Sequence, residues 1–302
     1  MARLQFIGLG TMGSPMVRQL VEAGNEVWVT DANPEAVARV VETTGANAWS
    51  EPGSPNGVDI VLLMLPNSGI VEAVLGRTDD PESFSGRLDA ETIVLDMSSS
   101  NPDSTAKLAA MLAERGVKLV DAPVSGGPIK AASGELAIMV GGSEEDAVWA
   151  SVRPILETLG ASVTRTGPVG SAHALKSLNN LLSVVGIVGA VEVLQVGAKF
   201  GLEPGVMLDV LNHSTGRNHA TEVKLGPQVL DRGWNVGFSL ELTVKDIKTA
   251  LELAESMGVK IPVSEAAVEI AKQALASKNG TPADQSQIAE YLEQLNDVSL
   301  AR

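Results

Sequence analysis

Short apolar runs alternate with amphipathic stretches through the first half of the chain. Leu4–Ile7, Glu26–Thr30, Ile60–Met64, Ile93–Asp96, Lys118–Ala122 and Leu136–Gly141 have the length and β-branched content of strands. Between them, Ser14–Ala23, Pro34–Thr43, Ser68–Leu75 and Ser104–Arg115 repeat apolar residues at helical spacing. This alternation predicts βαβ units around a parallel sheet. Ile60-Val61-Leu62-Leu63-Met64 is apolar without a break, as a strand covered on both faces requires. Trp49–Gly57 and Arg77–Arg87 read as ordinary connections.

After about Gly167 the strand pattern stops. Residues 171–199 read as one long helix, unusually apolar and rich in small side chains, punctuated by Gly201 and Pro204. Further helices are expected at Gly205–Asn212, Thr221–Asp231, Leu240–Met257, Val263–Ala276 and Ala283–Gln294. The chain thus predicts an α/β domain over 1–166 and an all-helical domain over 167–302, with 171–199 connecting them. A helix so apolar must be wrapped by its own domain or by a second subunit, so a homodimer or homotetramer is expected. Its most apolar stretch, Leu181 to Val191, is about half the roughly 20 residues of a membrane span. A buried helix is expected rather than a membrane one.

Charge and composition narrow the functions. The formal charge of −15 opposes nucleic-acid backbones and anionic lipid alike. The absence of cysteine excludes disulfides, thiolate metal sites and a cysteine nucleophile. His213 and His219 are too scattered for a metal site, and none is expected. Only Met1, Ala2 and Arg3 precede the first strand, with no secretory pattern, so a cytoplasmic protein is expected.

Gly8-Leu9-Gly10-Thr11-Met12-Gly13 is a G-x-G-x-x-G between the first strand and the first helix. The first glycine permits the tight turn, the second lets backbone approach a pyrophosphate, and the third lets helix and strand pack closely. The helix start then holds the anion. The second strand ends at Asp31, 18 positions after Gly13. A carboxylate there accepts from adenosine ribose hydroxyls and repels a 2′-phosphate, which favours NAD over NADP; Asp before Asn33-Pro34 also suits a plain turn. Leu65 and Pro66 after the third strand, and Ser98 and Ser99 after the fourth, are expected to complete the cleft. Ser98 and Ser99 also suit the N-cap of the following helix. The fold expected is a Rossmann-type doubly wound sheet, a long interdomain helix and an all-α C-terminal domain.

Three later segments carry polar groups in apolar or glycine-rich settings. They are Asp121-Ala122-Pro123-Val124-Ser125-Gly126-Gly127, then Gly167–Asn180, and last Phe238–Asp246. Together with Gly8–Met16 they resemble, over nearly the whole chain, the β-hydroxyacid dehydrogenases. These include 3-hydroxyisobutyrate dehydrogenase, tartronate semialdehyde reductase and L-threonate dehydrogenase. The resemblance implies that Asp121–Gly127 is the substrate motif and Gly167–Asn180 the catalytic one, and that Lys245 lies near the cofactor.

The residues suit that chemistry. Lys176, early in an apolar helix, can take the hydroxyl proton while hydride leaves for NAD, or return it in the reverse direction. Asn180, at i+4, shares its helix face and can fix the lysine or a substrate oxygen; Asn179 suits that role less well by angle. Ser125 with the backbone of Gly126 and Gly127 suits a substrate carboxylate. Asp246 is expected beside the substrate, although Lys245-Asp246 also reads as a surface ion pair. Where many relatives have a third glycine, this chain has Ala172, whose methyl would tighten the nicotinamide side of the pocket. His173 reads as structural or pocket-lining.

Lys176 argues against an imine reductase, Ser125-Gly126-Gly127 against a sulfolactaldehyde reductase, and the short helical half against a phosphogluconate dehydrogenase. A dinucleotide-binding module without turnover has no need of Lys176 and Asn180. The polar segment Ser214–Thr221, with Arg217, reads equally as an interhelical connection and as a reader of sugar-acid hydroxyls.

Overall fold

The structure is a computed structural model that describes every residue except Pro52, Asn56 and Glu144. Two of these fall in the expected connection Trp49–Gly57 and lie outside the described residues. The chain divides into two compact units, Met1–Lys176 and Ser177–Arg302.

The first unit is built on one sheet. Its strands are β1 (Arg3–Ile7), β2 (Glu26–Thr30), β3 (Asn47–Ala48), β4 (Ile60–Leu63), β5 (Ile93–Asp96), β6 (Lys118–Asp121), β7 (Val124–Ser125), β8 (Leu136–Gly141) and β9 (Gly160–Gly167). They lie in the order β3-β2-β1-β4-β5-β6-β8-β7, with β9 also paired to β8. Every neighbouring pair from β3 to β6 is parallel, while β8 runs antiparallel to β6 and β7. The chain winds outward in opposite directions from β1 and β4. The crevice beyond the carboxyl ends at such a reversal is where ligands sit in sheets of this kind.

The helices of this unit are α1 (Gly13–Glu22), α2 (Pro34–Thr44), α3 (Ser68–Leu75), α4 (Pro102–Ala113), α5 (Gly127–Ser133) and α6 (Asp146–Leu159). The unbroken apolar run of β4 has its reason in the layers on either side. Leu62 packs with Phe6, Met16 and Leu95 on one face, while Val61 and Leu63 pack with Val71, Val94 and Leu112 on the other.

Strand β9 departs from expectation. It pairs in parallel with β8 but carries polar, mostly exposed side chains such as Ser162, Thr164 and Arg165. An edge strand with little buried surface leaves no apolar alternation to read. Helices α5 and α6 also lie outside the four helices expected between the strands, and Arg77–Arg87 includes a 3-10 turn at Ser85–Arg87.

Helix α7 (Ser171–Phe200) carries the chain from the first unit into the second. There it is followed by α8 (Pro204–Asn212), a π-helix (Ala220–Leu230), α9 (Leu240–Ser256), α10 (Pro262–Ser277) and α11 (Ile288–Asn296). The segment expected as one helix over Ala283–Gln294 instead starts with a 3-10 turn, Gln285–Gln287, because Asp284 forms a capping box there with Gln287. The π-helix replaces the α-helix expected over Thr221–Asp231. In its wider turn the Asp231 N–H donates to the Gly226 carbonyl.

By length and composition α7 can span a membrane, in contrast to the shorter stretch read from the sequence. In the second unit it is the core helix. Leu181, Val184, Ile187, Val191 and Leu194 pack on the other helices, among them Val244, Ile247, Val268 and Leu292. A separate stripe on α7, comprising Leu178, Leu182, Val193, Val196 and Phe200, is exposed.

Candidate functional site

The glycine loop opens the crevice in the first unit. Gly8 has φ +102°, and a Cβ there would sit 2.3 Å from the Met64 carbonyl oxygen. A Cβ on Gly13 would sit 1.9 Å from the Gly8 carbonyl oxygen, so this glycine lets α1 press on β1. Gly10 differs: apart from its chain neighbours, no atom of the described residues lies within 4 Å of its would-be Cβ. Fold packing therefore gives no reason for a glycine at position 10, whereas close approach of a ligand does. No side chain caps α1, and its first turn holds no acid, so the positive end of the helix remains available to a phosphate. These features fit a dinucleotide.

Asp31 ends β2 as expected and holds the loop from below. One carboxylate oxygen accepts from the Leu9 N–H (2.6 Å) and the other from the Asn33 N–H (2.8 Å). Thr11 and Pro66 are exposed, and Met12, Leu65 and Ser99 half-buried. Ser98 is fully buried, its hydroxyl accepting from the Leu65 N–H at 3.0 Å. It therefore ties two strand-end loops together behind the crevice instead of facing into it. Neither serine caps a helix: Asn101 caps α4, accepting from the N–H groups of Asp103 and Ser104.

The start of α7 is fixed by the first residue of the segment that the resemblance makes the substrate motif. Asp121, at the end of β6, is fully buried. It accepts from the N–H groups of Gly170 (2.8 Å), Ala172 (2.9 Å) and His173 (3.0 Å). A carboxylate here satisfies the orphan donors of the helix start and complements its dipole. An acid closing an apolar strand was the available signal. His173 is structural: Nδ1 lies 2.8 Å from Thr105 Oγ1, and Nε2 3.0 Å from the Ser98 carbonyl oxygen. Ala172 is also fully buried, which corrects the expectation that its methyl tightens the nicotinamide side of the pocket.

Five residues after Ser171, α7 presents Lys176. Its Nζ donates to Ser125 Oγ at 2.8 Å, joining two motifs 51 residues apart. Beside Ser125, Gly126 and Gly127 adopt φ +133° and +69°, and apart from chain neighbours a Cβ on Gly127 would meet no atom of the described residues within 4 Å. A hydroxyl, an amine and open backbone thus converge where a carboxylate and an alcohol can be held.

The second unit carries its own polar set. Asn180 Nδ2 donates to Asp246 Oδ2 (2.7 Å), and the other oxygen of Asp246 pairs with Lys245 Nζ (2.8 Å). Asp246 is 4% exposed, so the pair is more than a surface feature. Asn179 is exposed and donates to Asn180 Oδ1 at 3.3 Å. Arg217 is exposed and lies 3.5 Å from Glu222, as in an interhelical connection. Among the described residues no cluster of three His, Cys, Asp or Glu forms a metal site.

Residues 3–167 match a family model described as the NAD binding domain of 6-phosphogluconate dehydrogenase. Residues 170–292 match one described as NAD-binding of NADP-dependent 3-hydroxyisobutyrate dehydrogenase. The chain is 36% identical over 299 residues to 2-(hydroxymethyl)glutarate dehydrogenase of Eubacterium barkeri, covering 99% of this chain and 97% of that one. It is 35% identical over 276 residues to NAD-dependent L-serine dehydrogenase of Pseudomonas aeruginosa, covering 89% and 91%. Among solved structures, Mycobacterium tuberculosis 3-hydroxyisobutyrate dehydrogenase with L-serine superposes with a TM-score of 0.86 at 28% identity, covering 97% and 99%.

Proposed function

Since the chain belongs to the β-hydroxyacid dehydrogenase family, whose members act on the CH–OH of hydroxy acids with NAD(P), we propose that it interconverts a small 3-hydroxy acid and its semialdehyde or keto acid, with Lys176 moving the proton. The observation that carries this is the 2.8 Å contact between Lys176 Nζ and Ser125 Oγ. It sets a proton carrier against the group that would hold the acid.

A dinucleotide seated in the crevice would supply a nicotinamide as hydride acceptor for the carbinol carbon. The chain's own residues do the rest. Gly10, Gly13 and the start of α1 seat the pyrophosphate, and Asp31 meets the adenosine ribose; its charge disfavours a 2′-phosphate, so NAD is the cofactor of choice. Ser125 and the backbone of Gly126 and Gly127 hold the substrate carboxylate. Neutral Lys176 takes the hydroxyl proton as the C–O bond becomes a carbonyl; in reduction its ammonium returns that proton to the carbonyl oxygen. Asn180, one turn beyond Lys176 on α7 and held by Asp246, is the group proposed to steady that oxygen, and Lys245 keeps the cofactor role that the family motif implies. Leu65, Pro66, Thr11, Met12 and Ser99 line the crevice.

The exposed stripe on α7 supports a homodimer or homotetramer, with the helices of the proposed second domain, 167–302, serving both substrate and assembly.

The test is NADH absorbance with NAD or NADP and a panel of acids: 3-hydroxyisobutyrate, 3-hydroxypropionate, glycerate, threonate, L-serine and 2-(hydroxymethyl)glutarate. Turnover with NAD on at least one acid is expected, with kcat reduced at least 1,000-fold in Lys176→Ala, on the order of an acid–base contribution. A Lys176→Ala variant as fast as the wild type would remove the lysine from the chemistry.

A further inference from the structure

Lys224 lies in the middle of the π-helix and is 7% exposed. Its Nζ donates to Ser183 Oγ on α7 (2.9 Å) and to Gln285 Oε1 (2.7 Å). Both acceptors are neutral, whereas an ammonium carries three donors. Among the described residues no carboxylate forms an ion pair with it. The charged group facing it is Asp284, and that carboxylate is engaged by the N–H groups of Gly237, Phe238 and Ser286 and by the Ser286 hydroxyl. Burial pushes the Lys224 ammonium down to about 8, with Asp284 pulling the other way. Buried charges are ordinarily paired. Here the cation is kept without its acid.

Its place on the fold points to what completes it. Ser183 follows Asn180 by three residues, so the two side chains are neighbours on one face of α7. One further turn along, Gly186 brings the loop before the π-helix close: a Cβ there would lie 3.3 Å from Asn218 Oδ1. The π-helix, a form that recurs at functional sites, thus lays Lys224 beside the helix face that carries Asn180.

We propose that Lys224 receives a second carboxylate of the substrate, so that the site takes hydroxy acids bearing two acid groups. This rests on the hydroxy acid reading above. One end of the substrate is held at Asn180 and the far carboxylate at Lys224, about one helical turn or 5 Å along α7, a gap that a two- or three-carbon tether covers. The carboxylate supplies the missing acceptor and neutralises the buried charge through a charge-assisted hydrogen bond.

The experiment compares kcat/KM for 2-(hydroxymethyl)glutarate and for 3-hydroxyisobutyrate in the wild type, Lys224→Met and Lys224→Gln at pH 7. The wild type is expected to prefer the diacid, and the ratio of the two constants to fall at least 20-fold in both variants. Equal loss on both acids, or no preference in the wild type, overturns the proposal. Binding of glutarate to the wild type, followed by calorimetry, needs neither turnover nor a folded variant. It is expected to weaken at least fivefold between pH 7 and 9.5, as Lys224 loses its proton. Glutarate binding without oxidation of any acid would sink the hydroxy acid reading and keep the subsite. Oxidation of 3-hydroxyisobutyrate without glutarate binding would do the reverse.

Discussion

Asp121 and Lys224 are both buried charges, and they behave in opposite ways. Asp121 meets three N–H groups at the start of α7, five residues before Lys176. Replacing it by alanine leaves three buried donors unpaired, each worth about 1–3 kcal/mol. Asp121→Ala is therefore expected to lower unfolding free energy by at least about 3 kcal/mol in urea, and Asp121→Asn by less. An unchanged urea midpoint for the alanine variant would show that these contacts are idle. Among the described residues no carboxylate pairs with Lys224, and its lowered value of about 8, against 10.5, sets a pH dependence. Between those two values the unfolded chain binds more protons than the folded one, so stability rises as pH rises through this window. The penalty is present in full below about 8 and gone above 10.5. At about 1.4 kcal/mol per pK unit the gain is on the order of 3 kcal/mol. Thermal unfolding at pH 7.5 and 10 in wild type and Lys224→Met should show a rise that the variant lacks. A rise of the same size in both would assign it to other groups.

At the scale of elements, the glycine loop separates fold from function within six residues. Gly13→Ala would place a methyl 1.9 Å from the Gly8 carbonyl oxygen, so α1 must move off β1. A loss of more than about 2 kcal/mol is expected, as for overpacked cores. Gly10→Ala meets nothing in the protein. It should leave the melting temperature within a degree or two while weakening NAD binding at least tenfold, measured by fluorescence titration. If Gly10→Ala bound NAD as the wild type does, the approach of a ligand at that glycine would lose its support.

The same contrast governs what the sequence could show. Strands β1, β4, β5 and β6 were legible because nearly all their residues are buried, and burial writes an apolar run; β2 and β8 were legible because buried β-branched or aliphatic residues alternate with less buried ones. Strand β9 was not, since its exposed Ser162, Thr164 and Arg165 carry the composition of a loop. Nor was the π-helix, whose residues 220–230 keep an ordinary helical rhythm. Lys176, Ser125 and Asn180 stand in motifs that the sequence displays, and the structure adds what each side chain touches: Lys176 meets Ser125, and Asn180 meets Asp246. Ser98 looked like a cap or a ligand group, but capping falls to Asn101, three residues on, whose side chain reaches the first turn of α4. The motif marks Asp121 but not its task, and nothing marks Lys224, because a single charged residue in an apolar stretch has no spacing that tells what it holds. Only the backbone donors around one, and the neutral oxygens around the other, reveal what each holds.

For the whole molecule, the decisive feature is the double use of α7. One of its faces fills the core of the second unit, while Leu182 (71% exposed), Val196 (73%) and Phe200 (84%) stand outside it on a single stripe. Exposed apolar side chains arranged in this way mark an interaction surface. The chain's acidity, −15 overall, disfavours anionic lipid as the partner, and a helix face can pair with its own copy about a twofold axis. Light scattering at micromolar concentration is therefore expected to give at least twice the 31.3 kDa of one chain. Leu182→Glu and Val196→Asp alter side chains that the protomer itself leaves exposed, so they should change its stability by no more than about 0.5 kcal/mol. At a dimer interface each removes about 1.5–3 kcal/mol of apolar burial and adds a desolvated charge. Together they should raise the dissociation constant at least 100-fold and bring the mass down to that of a single chain. A double variant that keeps the wild-type mass would put the subunit contact elsewhere, and a wild type at 31.3 kDa would leave the stripe without a partner of its own kind.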